Sequence, residues 1–162
     1  MSIKRFFSFA DNTITDAFKS NLTLRGTGSN AGNSDILEVF SIYGGASSGS
    51  LERSRALINF DVSKIKAART AGTIAASGST KFVFRLFNAE HGQTLPQDAT
   101  LAILPISRSW EEGSGMDMEE YSDNDVCNWI FASRTKVEDI TDIKFVSTTL
   151  NNYSGKYFEL MV

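Results

Sequence analysis

The run Ala56-Leu57-Ile58-Asn59-Phe60-Asp61-Val62 constrains the fold more than any other part of the chain. Ala56, Ile58, Phe60 and Val62 stand at alternate positions, with Asn59 and Asp61 between the last three. Successive side chains of a strand point to opposite faces, so this period of two describes a half-buried β-strand. Residues 82–87, Phe-Val-Phe-Arg-Leu-Phe, repeat the signal and place Phe82, Phe84 and Leu86 on one face. Further strands are expected at 21–24, 35–40, 100–104, 143–146 and 157–162, with Gly, Ser and Asn between them. The segments 26–33 and 44–50 are rich in those residues and read as exposed loops.

Helix signals are few. Ser63 can cap a short helix over 64–69, which Gly72 would end, and 118–121 can form a further turn. The long amphipathic helices of a doubly wound α/β fold are not legible. The fold expected is therefore all-β, an antiparallel β-sandwich or jelly-roll-like domain with at most one or two short helices. A chain of 162 residues with 41% hydrophobic content and twelve phenylalanines suits one domain spanning 1–162, with 1–9 as an N-terminal arm. The chain stops inside an apolar, strand-like run, which fits either the last strand of a sheet or a piece of a longer polypeptide.

Charge and cysteine usage narrow the function classes. A net charge of −3 gives no basic patch for nucleic-acid phosphates. No apolar run approaches the ~20 residues of a membrane span. The N-terminus turns polar at Asp11 and Asn12, too early for a signal peptide, so no targeting segment is read there. Cys127 is the one cysteine, which excludes an intramolecular disulfide framework and fits synthesis in a reducing cytoplasm.

No catalytic constellation emerges. Gly45-Ala46-Ser47-Ser48-Gly49 matches the Gly-x-Ser-x-Gly nucleophile pattern, but that elbow needs a strand turning into a helix, with an acid and a histidine to follow. Here a Gly/Ser-rich loop surrounds it and the single histidine is His91, in a polar turn. Cys127, with no His, Lys or Arg beside it in sequence, reads as a small buried hydrophobe rather than a nucleophile. No enzyme is expected.

The stretch 110–125 holds seven carboxylates in sixteen residues. The preferred reading is a solvated acidic loop. The alternative is a calcium loop drawing oxygens from Glu111, Glu112, Asp117, Asp123 and Asp125. Trp110, Trp129, Tyr121, Tyr43 and Tyr153 are the rings from which a sugar platform could be made, although each suits packing equally well. Phe6, Phe7 and Phe9 crowd the N-terminus. They belong either to the first strand of the core or to an interface with a neighbouring subunit.

Arg55-Ala56-Leu57-Ile58-Asn59-Phe60-Asp61-Val62-Ser63-Lys64-Ile65 resembles the Arg-x-Leu-x-x-Phe-Asp-x-Ser-x-Ile pattern of the DNRLRE-type β-sandwich domains. Asp11-Asn12-Thr13-Ile14 is similar to the family's first strand, and Asn30-Ala31-Gly32-Asn33 to its Asn-x-Gly loop. Ser109-Trp110-Glu111-Glu112-Gly113 and Asn128-Trp129 resemble its Trp-x-Glu-Gly and Asn-Trp elements. The likeness covers about residues 9–150 and departs from the pattern at the C-terminal strands. The resemblance implies a domain similar to carbohydrate-binding modules, in a form found among virion proteins of marine tailed bacteriophages. It implies a capsid decoration or tail-accessory protein, made in the bacterial cytoplasm and carried on the virion, with other virion proteins and further copies of itself as partners. A carbohydrate-binding adhesion module, directed at host-surface glycans, is the alternative it leaves open. No cofactor is expected beyond the calcium considered above.

Overall fold

The computed structural model describes residues 3–87, 89, 101–119 and 126–133, together with the backbone of 157–161. Its framework is one antiparallel sheet. Strand β1 (Ser8–Thr15) pairs with β3 (Leu51–Phe60), and β3 also pairs with β2 (Ser41–Tyr43) and β5 (Tyr157–Met161). β5 in turn pairs with β4 (Ala102–Ile106), giving the order β1-β3-β5-β4 with β2 as an additional partner of β3. The expected preponderance of strands, antiparallel pairing and one short helix is what the chain adopts. A second sheet stacked on this one is not found among the described residues, so the architecture seen is a single sheet, not two.

The sequence pattern at β3 is richer than a half-buried strand. Leu57 and Ile58, on opposite faces, are both 4% exposed. The reason is position: β3 has neighbours on both edges and material packed on both faces, so its apolar run is nearly continuous. On one face Ile14, Leu57, Ile106 and Cys127 form the buried core, with Trp110 and Trp129 packed against it. Register places Ile14, Leu57 and Ile106 on that side, since Asn12 lies opposite Leu57 and Tyr157 lies opposite both Asn59 and Ile106, and the 126–133 segment adds Cys127. On the other face Phe60 meets Phe84 edge-on, with ring centroids 5.9 Å apart.

The helix α1 (Val62–Thr70) starts two residues earlier than expected, and its cap is Asp61 rather than Ser63. The Asp61 carboxylate accepts from the Ser63 N–H at 2.9 Å and from the Ser63 hydroxyl. Asp is among the strongest N-caps because its side chain accepts from N2 or N3. At the far end Gly72 takes φ +69°, the left-handed turn that closes many helices.

Three expected strands are absent. Residues 82–87 join no ladder: Phe82, Val83, Leu86 and Phe87 are exposed, and β-propensity has little force without a pleated partner. Residues 21–24 form a tight turn instead. The Asn21 side chain accepts from the Thr23 and Leu24 N–H groups, and Leu22 is left-handed at φ +55°. Local asparagine chemistry overrides Leu and Thr propensity there. Residues 35–40 are irregular, and pairing begins only where Phe40 exchanges bonds with Ser54 and the chain enters β2. The expected strand at 100–104 is found two residues later, as β4. The strand expected at 143–146 lies outside the described residues.

Candidate functional site

The four short motifs that stand far apart in sequence meet at one place beside β1. Asn12 is fully buried. Its amide donates to the Glu112 carbonyl at 2.7 Å and the Cys127 carbonyl at 3.3 Å, and its oxygen accepts from the Ala31 N–H at 3.0 Å. Asn30, also buried, accepts from Gly32 and Gly115 N–H groups. Asn128 accepts from Ile130 and Phe131 N–H groups and is buried with no exposed surface. Arg55 lies over the Trp129 ring at 4.2 Å from its centre. The buried amides of Asn12 and Asn30 thus tie strand β1, the 26–33 loop and the two later segments 110–119 and 126–133 into one clasp, while Asn128 closes a turn within 126–133.

This clasp corrects the reading of 26–33 as an exposed loop. Ser29 and Asn30 are each 2% exposed. The cause is the covering segments: Asn33 N–H donates to the Gly115 carbonyl, Trp129 N–H to the Thr27 carbonyl, and the Ser29 hydroxyl to the Met118 carbonyl. Two glycines permit the close approach. At Gly113, φ is +80° and an added Cβ would stand 2.6 Å from Asn30 Oδ1. At Gly32 it would stand 2.1 Å from the Glu112 carbonyl oxygen. Within the clasp Asn30 Nδ2 and Trp110 Nε1 are buried without a hydrogen-bond partner.

Among the described residues, three acids of the acidic stretch make internal contacts. Glu112 Oε1 accepts from the Asp11 N–H at 2.6 Å, and the Glu119 carboxylate accepts from the Ser20 N–H at 2.6 Å and its hydroxyl at 3.1 Å. Asp117 accepts from the Glu119 N–H. Glu111 is exposed, while its backbone bonds to Ala132 and Cys127. Of the proposed calcium ligands, Glu111, Glu112 and Asp117 are therefore not brought together, and Asp123 and Asp125 lie outside the described residues. Among the described residues no group of three His, Cys, Asp or Glu side chains is disposed to hold a metal ion.

The remaining candidates separate cleanly. Cys127 is a buried thiol in no disulfide, at 1% exposure. Gly45 to Gly49 occupy the hairpin loop between β2 and β3, closed by Ser50, whose hydroxyl accepts from Ala46 and Ser47 N–H groups. That is a strand-to-strand turn, not the strand-to-helix elbow of a nucleophilic serine. Trp110 and Trp129 pack on the core, and Tyr43 is 74% exposed by itself on β2. His91, Tyr121 and Tyr153 lie outside the described residues. Arg55 and Asp61 do not pair with each other: one covers Trp129, the other caps α1.

The N-terminal arm is the other notable surface. Phe7 is 82% exposed, Ile3 87% and Phe9 59%, whereas Phe6 is half-buried. The β1 register shifts between Ser8 and Ala10, so Phe9 falls out of the ladder. Between the arm and α1 runs a groove of about 540 Å³, lined by Phe6, Phe9, Lys64, Ala67 and Ala71 among others. Searches among known protein families, curated proteins and solved structures return no match to this chain.

Proposed function

We propose that this chain is a non-enzymatic structural protein of a tailed-bacteriophage virion. It would be a capsid decoration or tail-accessory domain that assembles through its N-terminal arm. The observation that carries the reading is the exposure of Ile3, Phe7 and Phe9 on one short terminal segment. Burying a large apolar side chain is worth about 1.5–3 kcal/mol, so a cluster left in water favours a partner surface.

The sheet edges support the same choice. β4 carries Pro105, which has no N–H to offer a further strand. The outer side of β1 is covered at Asp11 by Glu112 and at Thr13 by Ala31. Backbone at the arm is thus the part of this edge left for pairing with a neighbour. The convergence of the Asn12, Asn30, Glu112–Gly113 and Asn128–Trp129 motifs on one structural clasp gives them a scaffold role, in keeping with their resemblance to the DNRLRE-type sandwich domains of virion proteins. On that resemblance the sheet is one half of a β-sandwich. A single cysteine fits assembly in the bacterial cytoplasm before release on a particle. Among the described residues no helix is long and apolar enough to cross a membrane.

A truncated chain lacking residues 1–8 tests the proposal. It should keep the melting temperature of the full chain within a few degrees while losing self-association. Loss of neither property would sink the reading.

A further inference from the structure

The groove between the arm and α1 is lined by cations and apolar groups together. Lys4, Arg5 and Lys64 line it, and Asp61 is the one acid among its described lining residues. That acid is already answered within its own chain: Oδ1 accepts from the Ser63 N–H and hydroxyl, and Oδ2 lies 3.8 Å from Lys64 Nζ. Lys4 Nζ meets only the neutral Thr73 hydroxyl, at 3.5 Å, and the Phe6 ring, at 5.9 Å. Lys4 and Arg5 are both exposed, so the groove keeps a surplus of positive charge. The chain's own acidic segment, 110–119, contributes none of the described lining residues. The apolar part is Phe6 and Phe9 from the arm, with Ala67, Ala68 and Ala71 from the α1 side.

We propose that this groove seats an extended, acidic and apolar segment of another protein of the assembly. That goes beyond the self-association proposed above, because α1 supplies one wall and the occupant is a different chain. Clefts of roughly 300–1,000 Å³ take ligands, and this one measures about 540 Å³. It is open: Phe7 and Phe9, which also line it, are 82% and 59% exposed. A chain crossing the groove runs on over those rings, which a compact small molecule would leave in water. Extended form follows from the arm, whose residues 3–7 join no ladder and so keep backbone N–H and C=O groups for an added strand. Acidity follows from the lining: carboxylates meet Lys4, Arg5 and Lys64, whereas a basic segment would meet like charge. Apolar side chains between those carboxylates cover Phe6 and the alanines, and the bare methyl groups of Ala67 and Ala71 allow close approach to α1.

The test is fluorescence anisotropy of the full chain with a labelled peptide of alternating glutamate and leucine, beside glutamine–leucine and lysine–leucine peptides. The glutamate peptide should bind, and raising the salt from about 0.05 M to about 1 M should weaken it roughly tenfold or more. The other two peptides should bind roughly tenfold more weakly, or not at all. Lys64→Glu reverses a groove cation, and Ala67→Trp fills the space from the α1 side. Both residues are exposed, and melting curves establish that the variants are folded. Each variant should weaken glutamate-peptide binding by roughly tenfold, with self-association by light scattering unchanged. Equal binding of all three peptides, or glutamate-peptide binding that neither variant moves, would overturn the inference. Variants that lose self-association, with a wild-type chain that binds no peptide, would assign the groove to a second copy and overturn it as well. A wild-type monomer that binds the glutamate peptide in the expected way would support the groove's assignment while contradicting self-association through the arm.

Discussion

Two buried asparagines, Asn12 and Asn30, join distant parts of this chain, and a third, Asn128, closes a local turn. Each amide oxygen accepts backbone N–H groups from a loop, and Asn12 bridges the two later segments to β1. Removing one partner from a buried hydrogen bond leaves the other unsatisfied, at about 1–3 kcal/mol. Asn12→Ala should therefore lower urea-unfolding stability by about that amount or more, since it strands both donors and acceptors. Gly113→Ala should cost a similar ~1–3 kcal/mol, because φ of +80° disfavours a side chain and Asn30 occupies its space. A circular dichroism melt would measure either.

Asp61 gives a pH signature. The Ser63 hydroxyl, the largest influence, together with the Ser63 N–H and Lys64, holds its carboxyl below the usual value of 3.8. A carboxylate lowered on folding adds stability above its unfolded pKa, and the gain is lost as pH falls through the folded value. The Asp61 contribution is thus complete at neutral pH and fades progressively below about pH 4, as the pH falls toward the folded value. Asp61→Ala should lower the melting temperature by a few degrees at pH 7 and by less at pH 3. Asp61→Ser should restore most of the cap at pH 7 without that pH dependence. An equal loss for Asp61→Ala at both pH values would contradict the assignment.

At the scale of elements, what could be read from sequence was what repeats locally. The period of two around Ile58 located β3, because a central strand writes its burial into consecutive residues. The short helix was legible from its end signals, a capping residue at its start and Gly72 at its close, although its cap lay two residues earlier than Ser63. Residues 82–87 misled because propensity names residues that fit a sheet, not whether a partner strand arrives. Residues 21–24 misled because one Asn side chain can outbid Leu and Thr for the local backbone. The clasp was only half legible. Its motifs stood out as resemblances, but nothing in the spacing of Asn12, Asn30 and Asn128 says that they converge; that follows from the sheet register and the long connections. The acidic segment was visible as composition, and exposed Glu111, Asp117 and Glu119 fit the solvated loop expected, but composition did not show that Glu112 and Glu119 secure backbone donors about a hundred residues away. It follows that Glu112→Ala should destabilise more than Glu119→Ala, because the first contact is half-buried and the second exposed. Paired chemical-denaturation curves would rank them, and the reverse order would contradict this account.

Viewed as a whole molecule, the chain combines a sheet protected along its edges with a terminal arm that is not protected. Pro105 on β4 and the clasp on β1 discourage unspecific strand addition. On the proposed reading, contact formation falls to residues 3–9, where exposed rings and cations lie together. That organisation is the one the proposed assembly role calls for.

Sedimentation equilibrium of the full chain over a wide concentration range tests that claim most directly. The account predicts a reversible assembly whose mass is an integral multiple of 17.8 kDa and which grows with concentration. A single species of monomer mass at every concentration would contradict it.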